Sequence, residues 1–280
     1  IVMRLVGSEM CIRDRYVDNN KFDFEILFTN SNKDAYNFSL SSVNNYYDIV
    51  VAVGGDGTVN ECSKALIGTN VALAIIPIGS GNGFAYHFNI KRDFIKALKQ
   101  FNNNIVKLID SCSVNNHPFV NVAGIGFDAH IAKLFAKSKK RGFINYLKLC
   151  IKELSYKAEH YTIIMNNNET KLYAFAIVFA NASQYGNDAM ISPLSDVEDG
   201  LLDIVVIKKF PNWKIPFFIL EVLKGKTHLS KFVEIIKTKE IEIKAVKPFV
   251  HVDGEVKELS NPIKVKIQEK KLKIFVPNEK

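Results

Sequence analysis

The chain has 280 residues, of which 48% are hydrophobic and 24% are charged, so its composition is that of an ordinary globular protein and excludes a disordered or collagen-like chain. The formal net charge of +8 favours an anionic partner, such as a nucleotide, a nucleic acid or an acidic lipid surface. The four cysteines show no CxxC spacing, so we expect neither a zinc site nor a disulfide framework, and a reducing cytoplasmic location is the simplest interpretation.

Residues 1–15 show no clear hydrophobic period, and Arg4 and Glu9 leave no apolar core for a signal peptide. We interpret them as a leader that is foreign to the domain that follows, with a short native strand over 1–6 as the alternative. No apolar run approaches the ~20 residues of a membrane-spanning helix.

The first part of the chain alternates apolar strands with helices. The predicted elements are strands over 24–29, 48–53 and 71–76, a polar helix or loop after the first strand, and helices over 58–68 and 84–103. Strands that lack polar alternation and are joined by helices indicate a parallel sheet covered on both faces. We therefore predict an α/β domain over 16–110 that binds its ligand at the carboxyl ends of the strands.

The pattern changes beyond residue 110. The predicted elements are strands over 119–122, 161–165, 172–180 and 201–207, and helices over 128–156 and 213–224. From residue 232 onward apolar and polar residues alternate, which is typical of a half-solvated antiparallel sheet. We therefore predict a β-rich domain over 111–280 and a cleft between the two domains. Packing of the C-terminal segment back on the first domain is left open.

A glycine turn follows the strand that ends at Val53. Its sequence is Gly54-Gly55-Asp56-Gly57-Thr58, and Thr58 with Glu61 fits a capping box at a helix start. Such a turn exposes backbone N–H groups beside a helix N-terminus and so attracts phosphate. Asp56 would repel that phosphate unless a cation lay between them, which favours a metal-bridged nucleotide. A plain strand-to-helix turn is the alternative, and neither a Walker A nor a GxGxxG motif is present.

A second glycine turn follows the next strand. Its sequence is Gly79-Ser80-Gly81-Asn82-Gly83. Two such turns at the ends of successive strands would form one continuous phosphate-binding rim.

The paired motifs GGDGT at 54–58 and PxGSGN at 77–82 resemble the catalytic domain of the diacylglycerol kinase and sphingosine kinase families, and the overall layout is similar to the small bacterial lipid kinases. The resemblance runs from about residue 22 to the end. It implies an α/β domain, a β-sandwich domain, ATP bound between them and a phosphorylated lipid alcohol as product. The residues that it implies for the nucleotide are Gly54, Gly55, Asp56, Gly57, Thr58, Gly79, Ser80, Gly81 and Asn82, with Asp56 also tied to the catalytic magnesium.

The segment 121–129, Asn-Val-Ala-Gly-Ile-Gly-Phe-Asp-Ala, resembles another signature of this family. Its acidic residue, here Asp128, is implied to face the metal from the second domain. The alternative from residue type alone is that Asp128 is the N-cap of the helix that follows.

The loop 192–203 has carboxylates three residues apart before Gly200. An Asp-Gly turn explains them, and an oxygen-rich loop with a sharp glycine also suits magnesium. The resemblance implies a structural magnesium held by Asp196, Asp199 and the backbone carbonyl of Leu201. Both alternatives remain open.

The segment 250–256 has the form of a β-hairpin closed by Asp253-Gly254. The family resemblance implies that this is the DGE motif and that Glu255 is the general base. A lipid hydroxyl needs a positioned carboxylate to take its proton during in-line attack on the γ-phosphorus. Asp253 would support the metal or orient Glu255.

Two features depart from the family pattern. Gly83 stands where bacterial diacylglycerol kinases usually have Asp, which weakens diacylglycerol as the substrate more than it weakens kinase activity. Nothing in residues 1–21 matches the Asn-Pro-x-Ser/Ala-Gly loop that touches the nucleotide in the family, which puts ATP binding in doubt.

These features together predict a cytoplasmic kinase that uses ATP and Mg²⁺ to phosphorylate diacylglycerol, a sphingoid base or another long-chain alcohol. We expect the apolar pocket to come from the β domain with the helix around Trp213, and the basic surface to dock transiently on anionic lipid at the inner membrane face. A homodimer is left open, and no nucleic-acid-binding pattern is visible. The alternatives are an NAD kinase, which shares the GGDG turn, and a non-catalytic lipid- or nucleotide-binding relative.

Overall fold

The computed structural model describes residues 16–139, 142–153 and 155–278. The predicted leader, residues 1–15, lies outside the described residues. The chain divides into two compact units, of which unit 1 comprises the residues up to Ile109 together with Glu269–Lys280, and unit 2 comprises Asp110–Gln268. The prediction of two domains, one α/β with parallel strands and one mostly antiparallel β, is confirmed. The cleft between them stays a prediction.

Unit 1 is built on two adjacent parallel strands whose side chains are almost all buried. Strand β1 (Ile49–Gly54) pairs with β2 (Ala72–Pro77), and β2 pairs in parallel with the last part of the long C-terminal strand through Leu73 and Ala74. The helices with described bounds in this unit are α1 (Asp34–Asn44), α2 (Asp56–Leu66), α3 (Gly83–His87) and α4 (Phe94–Phe101). Burial on both faces explains why these strands carry no polar alternation.

Three sequence-based predictions for unit 1 are wrong in detail. Helix α2 begins at Asp56 rather than Thr58, with Gly55 at its N-cap and no side-chain cap, so the capping box does not form. The helix predicted over 84–103 is two helices, α3 and α4, because Asn89 adopts a left-handed conformation (φ 56°) between them. Among residues 24–29 only Leu27 forms a β-bridge, so the strand predicted there is not formed as a continuous element.

Unit 2 is an antiparallel β unit, and its described residues include three α-helices. Its strands are β3 (Asn104–Val114), which starts in unit 1, β4 (His117–Phe119), β5 (Val122–Gly126), β6 (Glu159–Met165), β7 (Asn168–Ala180), β8 (Leu202–Lys208), β9 (Val233–Thr238), β10 (Glu240–Ala245), β11 (Phe249–Val252), β12 (Glu255–Glu258) and β13 (Ile263–Pro277), which ends in unit 1. Its helices are α5 (Phe127–Lys137), α6 (Phe143–Lys152) and α7 (Ile215–Leu223).

The sheet of unit 2 runs in the order β13-β10-β6-β7-β5-β11-β12, and β8 and β9 extend from β7. Adjacent strands along this path are antiparallel. Its main core packs side chains such as Phe119, Ile125, Ile163, Phe179 and Ile243, each at most 2% exposed. The single helix predicted over 128–156 is two helices, α5 and α6. Among the described residues, no helix is long and apolar enough to cross a membrane.

Candidate functional site

The two glycine turns of unit 1 lie at the same edge of the sheet. The parallel register of β1 and β2 places Gly54 opposite Pro77, so both strands end together. The first turn leads directly into α2 at Asp56, and the second leads into α3 at Gly83. This is the edge at which open parallel sheets bind ligands.

The backbones of the two turns touch, and only glycine permits the contact. A Cβ atom on Gly79 would clash with the Cα of Gly55 and would lie 2.7 Å from Oδ1 of Asn82. A Cβ on Gly54 would lie 2.5 Å from Oγ1 of Thr58. A Cβ on Gly57, in contrast, would meet nothing within 4 Å. Gly54 and Gly79 are therefore required by packing, whereas Gly57 borders open space.

Asp56 ties the second turn to the first. Its Oδ2 accepts a hydrogen bond from the backbone N–H of Asn82 at 2.8 Å, and its Oδ1 accepts one from the N–H of Gly83 at 2.9 Å. Burial raises the pKa of Asp56, and these two N–H groups act in the opposite direction. Each carboxylate oxygen has a second lone pair with which it could bind a cation.

Asn82 closes its own turn. Its backbone is left-handed (φ 56°), a conformation that asparagine tolerates better than most residues. Its Oδ1 accepts from the N–H of Gly79 at 3.0 Å, and its Nδ2 donates to the carbonyl of Gly79 at 2.7 Å and to the hydroxyl of Tyr86 at 2.9 Å. The buried Asn82 side chain therefore shapes the loop that would meet a nucleotide. The contact between Gly83 and Asp56 uses the backbone, so it does not need the Asp that the family usually has there.

The space in front of this rim suits a phosphate. Helix α2 has eleven residues, and no side chain caps its N-terminus. The N–H groups of its first turn therefore point toward the open space beside Gly57 without a side-chain cap, as in phosphate sites at helix N-termini. The chemistry of Asp56 and this helix end fits a metal-bridged phosphate.

In unit 2, the predicted Asp-Gly hairpin is confirmed. Strands β11 and β12 pair so that Val252 lies opposite Glu255, and both turn residues have positive φ angles, 47° at Asp253 and 84° at Gly254. Two such angles in a two-residue turn are typical of the type I′ hairpin.

The Asp253 side chain anchors this hairpin. Its Oδ1 accepts hydrogen bonds from the N–H groups of Asn121 and Val122, and its Oδ2 accepts one from the N–H of Val120, each at 3.1 Å. Three backbone donors leave this carboxylate less suited to a metal than to holding its turn in place. The contacts favour the alternative in which Asp253 orients Glu255.

Glu255 is the first residue of β12, and its side chain is half exposed. Its Oε2 lies 3.5 Å from Nζ of Lys257, two residues along on the same face of the strand. A substrate hydroxyl could approach this carboxylate from solvent, because the side chain is half exposed. The sequence reasoning did not identify Lys257, which the period of two along the strand could have indicated.

Asp128 is buried in unit 2 and is not an N-cap. It is the second residue of α5, and Gly126 (φ 78°) occupies the N-cap position. Its Oδ2 accepts a hydrogen bond from the hydroxyl of Tyr185 at 2.8 Å and lies 2.7 Å from Nε2 of His251. A Cβ on Gly124 would clash with this carboxylate.

Two buried tyrosines share the surroundings of Asp128. Burial and then the Asp128 charge raise the pKa of both Tyr185 and Tyr146 well above the ordinary tyrosine value, so both hydroxyls stay protonated. The sequence analysis missed Tyr146, Tyr185 and His251. Only His251 lies within a motif that it noted, and no local pattern links the tyrosines to Asp128.

The loop 192–203 places two of its three predicted metal ligands, the carboxylates of Asp196 and Asp199, in local turns. Asp196 accepts from the N–H of Glu198, and Asp199 accepts from the N–H of Leu201, both at 2.9 Å. Oδ2 of Asp199 also lies 2.6 Å from Nζ of Lys237. Burial lowers the pKa of Lys237, but its contacts with Asp199 and Asp203 outweigh that effect and raise it. This donor set fits a turn neutralised by an ammonium group better than a magnesium site.

A cavity of about 140 Å³ lies in unit 2 beside Asp128. Helices α6 and α7 form much of its wall, for example through Leu147, Phe218 and Val222. Its polar groups are Asp128 and the hydroxyls of Tyr146 and Tyr185, and Asp128 is the only carboxylate among the described residues that line it. Burial raises the pKa of the Cys150 thiol to about 12, so this lining residue is uncharged at neutral pH.

The expectation that Trp213 contributes to the pocket is not met. Trp213 lies in a short 3₁₀ turn over Asn212–Lys214, before α7, and its side chain is exposed. The residues of α7 that line the cavity start at Ile215. Within the described residues, no three His, Cys, Asp or Glu side chains form a ready-made metal cluster.

Comparison with known proteins gives two family matches. The diacylglycerol kinase catalytic domain matches residues 13–114, and the YegS C-terminal NAD kinase beta sandwich-like domain matches residues 121–276. The second match alone covers more than half of the chain.

Individual relatives agree with these matches. The chain is 27% identical over 214 residues to a protein of Chromohalobacter salexigens named as a probable YegS-like lipid kinase, covering 74% of this chain and 69% of that protein. It is 25% identical over 219 residues to a diacylglycerol kinase of Bacillus subtilis, covering 75% and 71%. The crystal structure of a diacylglycerol kinase from Bacillus anthracis superposes with a TM-score of 0.73 at 20% identity, covering 99% of this chain and 95% of that one, which establishes a shared fold.

Proposed function

Because this chain belongs to the diacylglycerol kinase-like lipid kinase family, we propose that it transfers the γ-phosphate of ATP to the hydroxyl group of a lipid alcohol. The substrate class comprises diacylglycerol, a sphingoid base or a similar long-chain alcohol. The main support for the proposal is the pair of glycine turns in unit 1. The two turns contact each other, and the Asp56 carboxylate joins them by accepting hydrogen bonds from the N–H groups of Asn82 and Gly83.

In this proposal the turns hold the nucleotide. The N–H groups in the first turn of α2 would donate hydrogen bonds to the phosphates. The phosphates would fit into the open space beside Gly57, which has no side chain to fill it. Bound Mg²⁺ would neutralise the phosphate charge, as it does in phosphoryl transfer generally. The proposed ligand in unit 1 is Asp56, because each of its carboxylate oxygens keeps a lone pair beyond its backbone hydrogen bond.

Glu255 is the proposed general base. Its carboxylate takes the proton of the lipid hydroxyl as the hydroxyl oxygen bonds to the γ-phosphorus and the bond from that phosphorus to the leaving ADP breaks. Asp253 is a positioning residue, because its three backbone hydrogen bonds hold the hairpin that presents Glu255.

The apolar cavity of unit 2 is the proposed site for part of the lipid chain. Its lining is apolar except at Asp128, Tyr146 and Tyr185, so a lipid would enter with its polar end toward these groups. NAD kinase activity is the second candidate, because the matched C-terminal domain is described as NAD kinase-like. The apolar cavity favours a lipid acceptor over a dinucleotide.

The test is labelled phosphate transfer from ATP to a panel of lipid extracts and, separately, to NAD. We expect a labelled lipid and no NADP. Glu255→Gln should lower kcat by about 10²–10⁴-fold while ATP binding stays intact. The matched control is Glu258→Gln, an exposed glutamate on the same strand. NADP formation without lipid phosphorylation would overturn the proposal, and so would full activity of Glu255→Gln.

A further inference from the structure

Helix α7 is apolar on every side, yet none of its residues is buried. Its sequence, Ile-Pro-Phe-Phe-Ile-Leu-Glu-Val-Leu, contains one charged residue, Glu221. Phe218 and Val222 line the cavity, whereas Phe217 and Leu220 on another side of the helix are 58% and 49% exposed. A helix that is apolar all round is normally covered by protein or lipid. The exposed side of α7 is therefore suited to an apolar partner.

Trp213 extends this exposed side by one turn. It is 66% exposed and precedes Phe217 and Leu220 by four and seven residues, which is the spacing of one helical face. Nζ of Lys214 lies 4.5 Å from the centre of its ring. An exposed tryptophan paired with a lysine is typical of the boundary between lipid headgroups and acyl chains.

Helix α6 repeats the arrangement on the wall of the same cavity. Phe143 and Leu147 line the cavity, whereas Ile144 and Ile151 are exposed and Lys148 lies between them on the same side. No residue of α6 is buried. Both helices that line this cavity therefore also expose apolar side chains to solvent.

The charges around these helices favour an anionic surface. Lysines precede and follow α7, and further lysines lie on α6; those with exposed side chains are Lys209, Lys224, Lys226, Lys148 and Lys152. The chain as a whole carries a net charge of +8. Apolar side chains bordered by lysines match a bilayer that contains anionic lipid, to which basic residues near the surface are attracted. The nine residues of α7 rise only about 13 Å, so this helix would lie in the interface.

We propose that Trp213, Phe217 and Leu220, together with Ile144 and Ile151, form a docking surface that rests on an anionic lipid bilayer and brings the cavity wall of unit 2 to the membrane. The biological use of this surface rests on the proposed lipid kinase function. The test of this surface does not depend on that function, because binding to vesicles requires neither ATP nor turnover.

The chain offers an internal probe, since Trp213 is its single tryptophan. Adding vesicles of phosphatidylcholine with phosphatidylglycerol should shift its emission to shorter wavelength, and brominated acyl chains should quench it. Vesicles of phosphatidylcholine alone, or added salt, should weaken the effect because the lysine contribution is lost or screened.

The decisive variant is Phe217→Gln with Leu220→Gln. Both side chains are exposed and neither lines the cavity, so the fold should persist. We expect at least a tenfold loss of vesicle affinity in co-sedimentation. The matched control is Val246→Gln, an exposed residue (76%) of the same unit between β10 and β11, which should bind within twofold of wild type.

Three results would overturn the docking proposal. The first is vesicle binding with an unchanged Trp213 emission, which would assign docking to another surface. The second is a Phe217→Gln/Leu220→Gln variant that binds vesicles as well as wild type. The third is an emission shift that grows with protein concentration in the absence of vesicles, accompanied by dimers in sedimentation velocity, which would assign the surface to a second copy of the chain.

Activity separates this proposal from the proposed function. The double variant should phosphorylate a dispersed short-chain lipid at the wild-type rate and lose activity only toward lipid in vesicles. If the wild-type protein phosphorylates no lipid but binds vesicles through Trp213, the result would contradict the proposed lipid kinase function and support the docking surface.

Discussion

Gly55 and Gly79 are 24 positions apart in the chain, yet their backbones meet so closely that a Cβ on Gly79 would clash with the Cα of Gly55. This contact, together with the hydrogen bonds from Asn82 and Gly83 to Asp56, makes the two glycine turns one structural unit. The rim is therefore preformed by packing, and its parts can be tested separately.

Gly79→Ala should disrupt the rim. The added methyl group must displace the backbone of Gly55, so we expect the free energy of unfolding to fall by about 1–3 kcal/mol, as for other overpacked sites. Urea denaturation measures the loss, and binding of a fluorescent ATP analogue should fall with it. Unchanged stability would show that the two turns can separate without cost.

Gly57→Ala should have the opposite effect on stability. Gly57 is a helical residue of α2, and a Cβ there meets nothing within 4 Å, so alanine should stabilise the fold by about 0.4–1 kcal/mol. The same methyl group would occupy the space proposed for phosphate, and we expect the KM for ATP to rise roughly tenfold, equivalent to about 1.4 kcal/mol. A stabilised variant with an unchanged KM would place the nucleotide elsewhere.

Val222→Trp should block the lipid site and spare the nucleotide site. Val222 lines the cavity of about 140 Å³, and the larger side chain would fill part of it. We expect the KM for a long-chain lipid to rise roughly tenfold, within the range for steric exclusion from an apolar pocket, while the affinity for ATP is unchanged. Glu221→Gln, on the same helix but outside the lining, is the control.

His251→Phe should destabilise unit 2 because it removes a partner of a buried carboxylate. Asp128 would keep its hydrogen bond from Tyr185 but lose the imidazole now 2.7 Å away, and loss of a hydrogen bond to a charged group costs about 1.5–3 kcal/mol. The loss should appear in urea denaturation, whereas His160→Phe, an exposed histidine on β6, should have little effect.

A double-mutant cycle completes this test. Asp128→Asn combined with His251→Phe should cost less than the sum of the two single variants, because the second change removes a contact that the first has already weakened. Strict additivity would show that Asp128 and His251 do not interact in solution.

The sequence was sufficient where the signal is local. The unbroken apolar runs of β1 and β2 predicted a parallel sheet, and the Asp253-Gly254 pair predicted a hairpin, because strand burial and turn conformation depend on a few adjacent residues. Helix limits were less predictable. Helix α2 starts at Asp56, with Gly55 as its N-cap, so the expected capping role of Thr58 does not arise.

Contacts between residues that are distant in the sequence could be identified only from the tertiary structure. Asp128 and His251 are 123 positions apart, and Asp199 and Lys237 are 38 apart, so no spacing rule could pair them. The tertiary structure also decided which side of α7 faces a cavity and which side stays exposed, since its sequence is apolar all round. The sequence by itself determined the elements and the glycine turns, because these follow from local backbone and burial preferences. Only the folded chain decided the partners of each carboxylate, because those partners are brought together by the packing of whole elements.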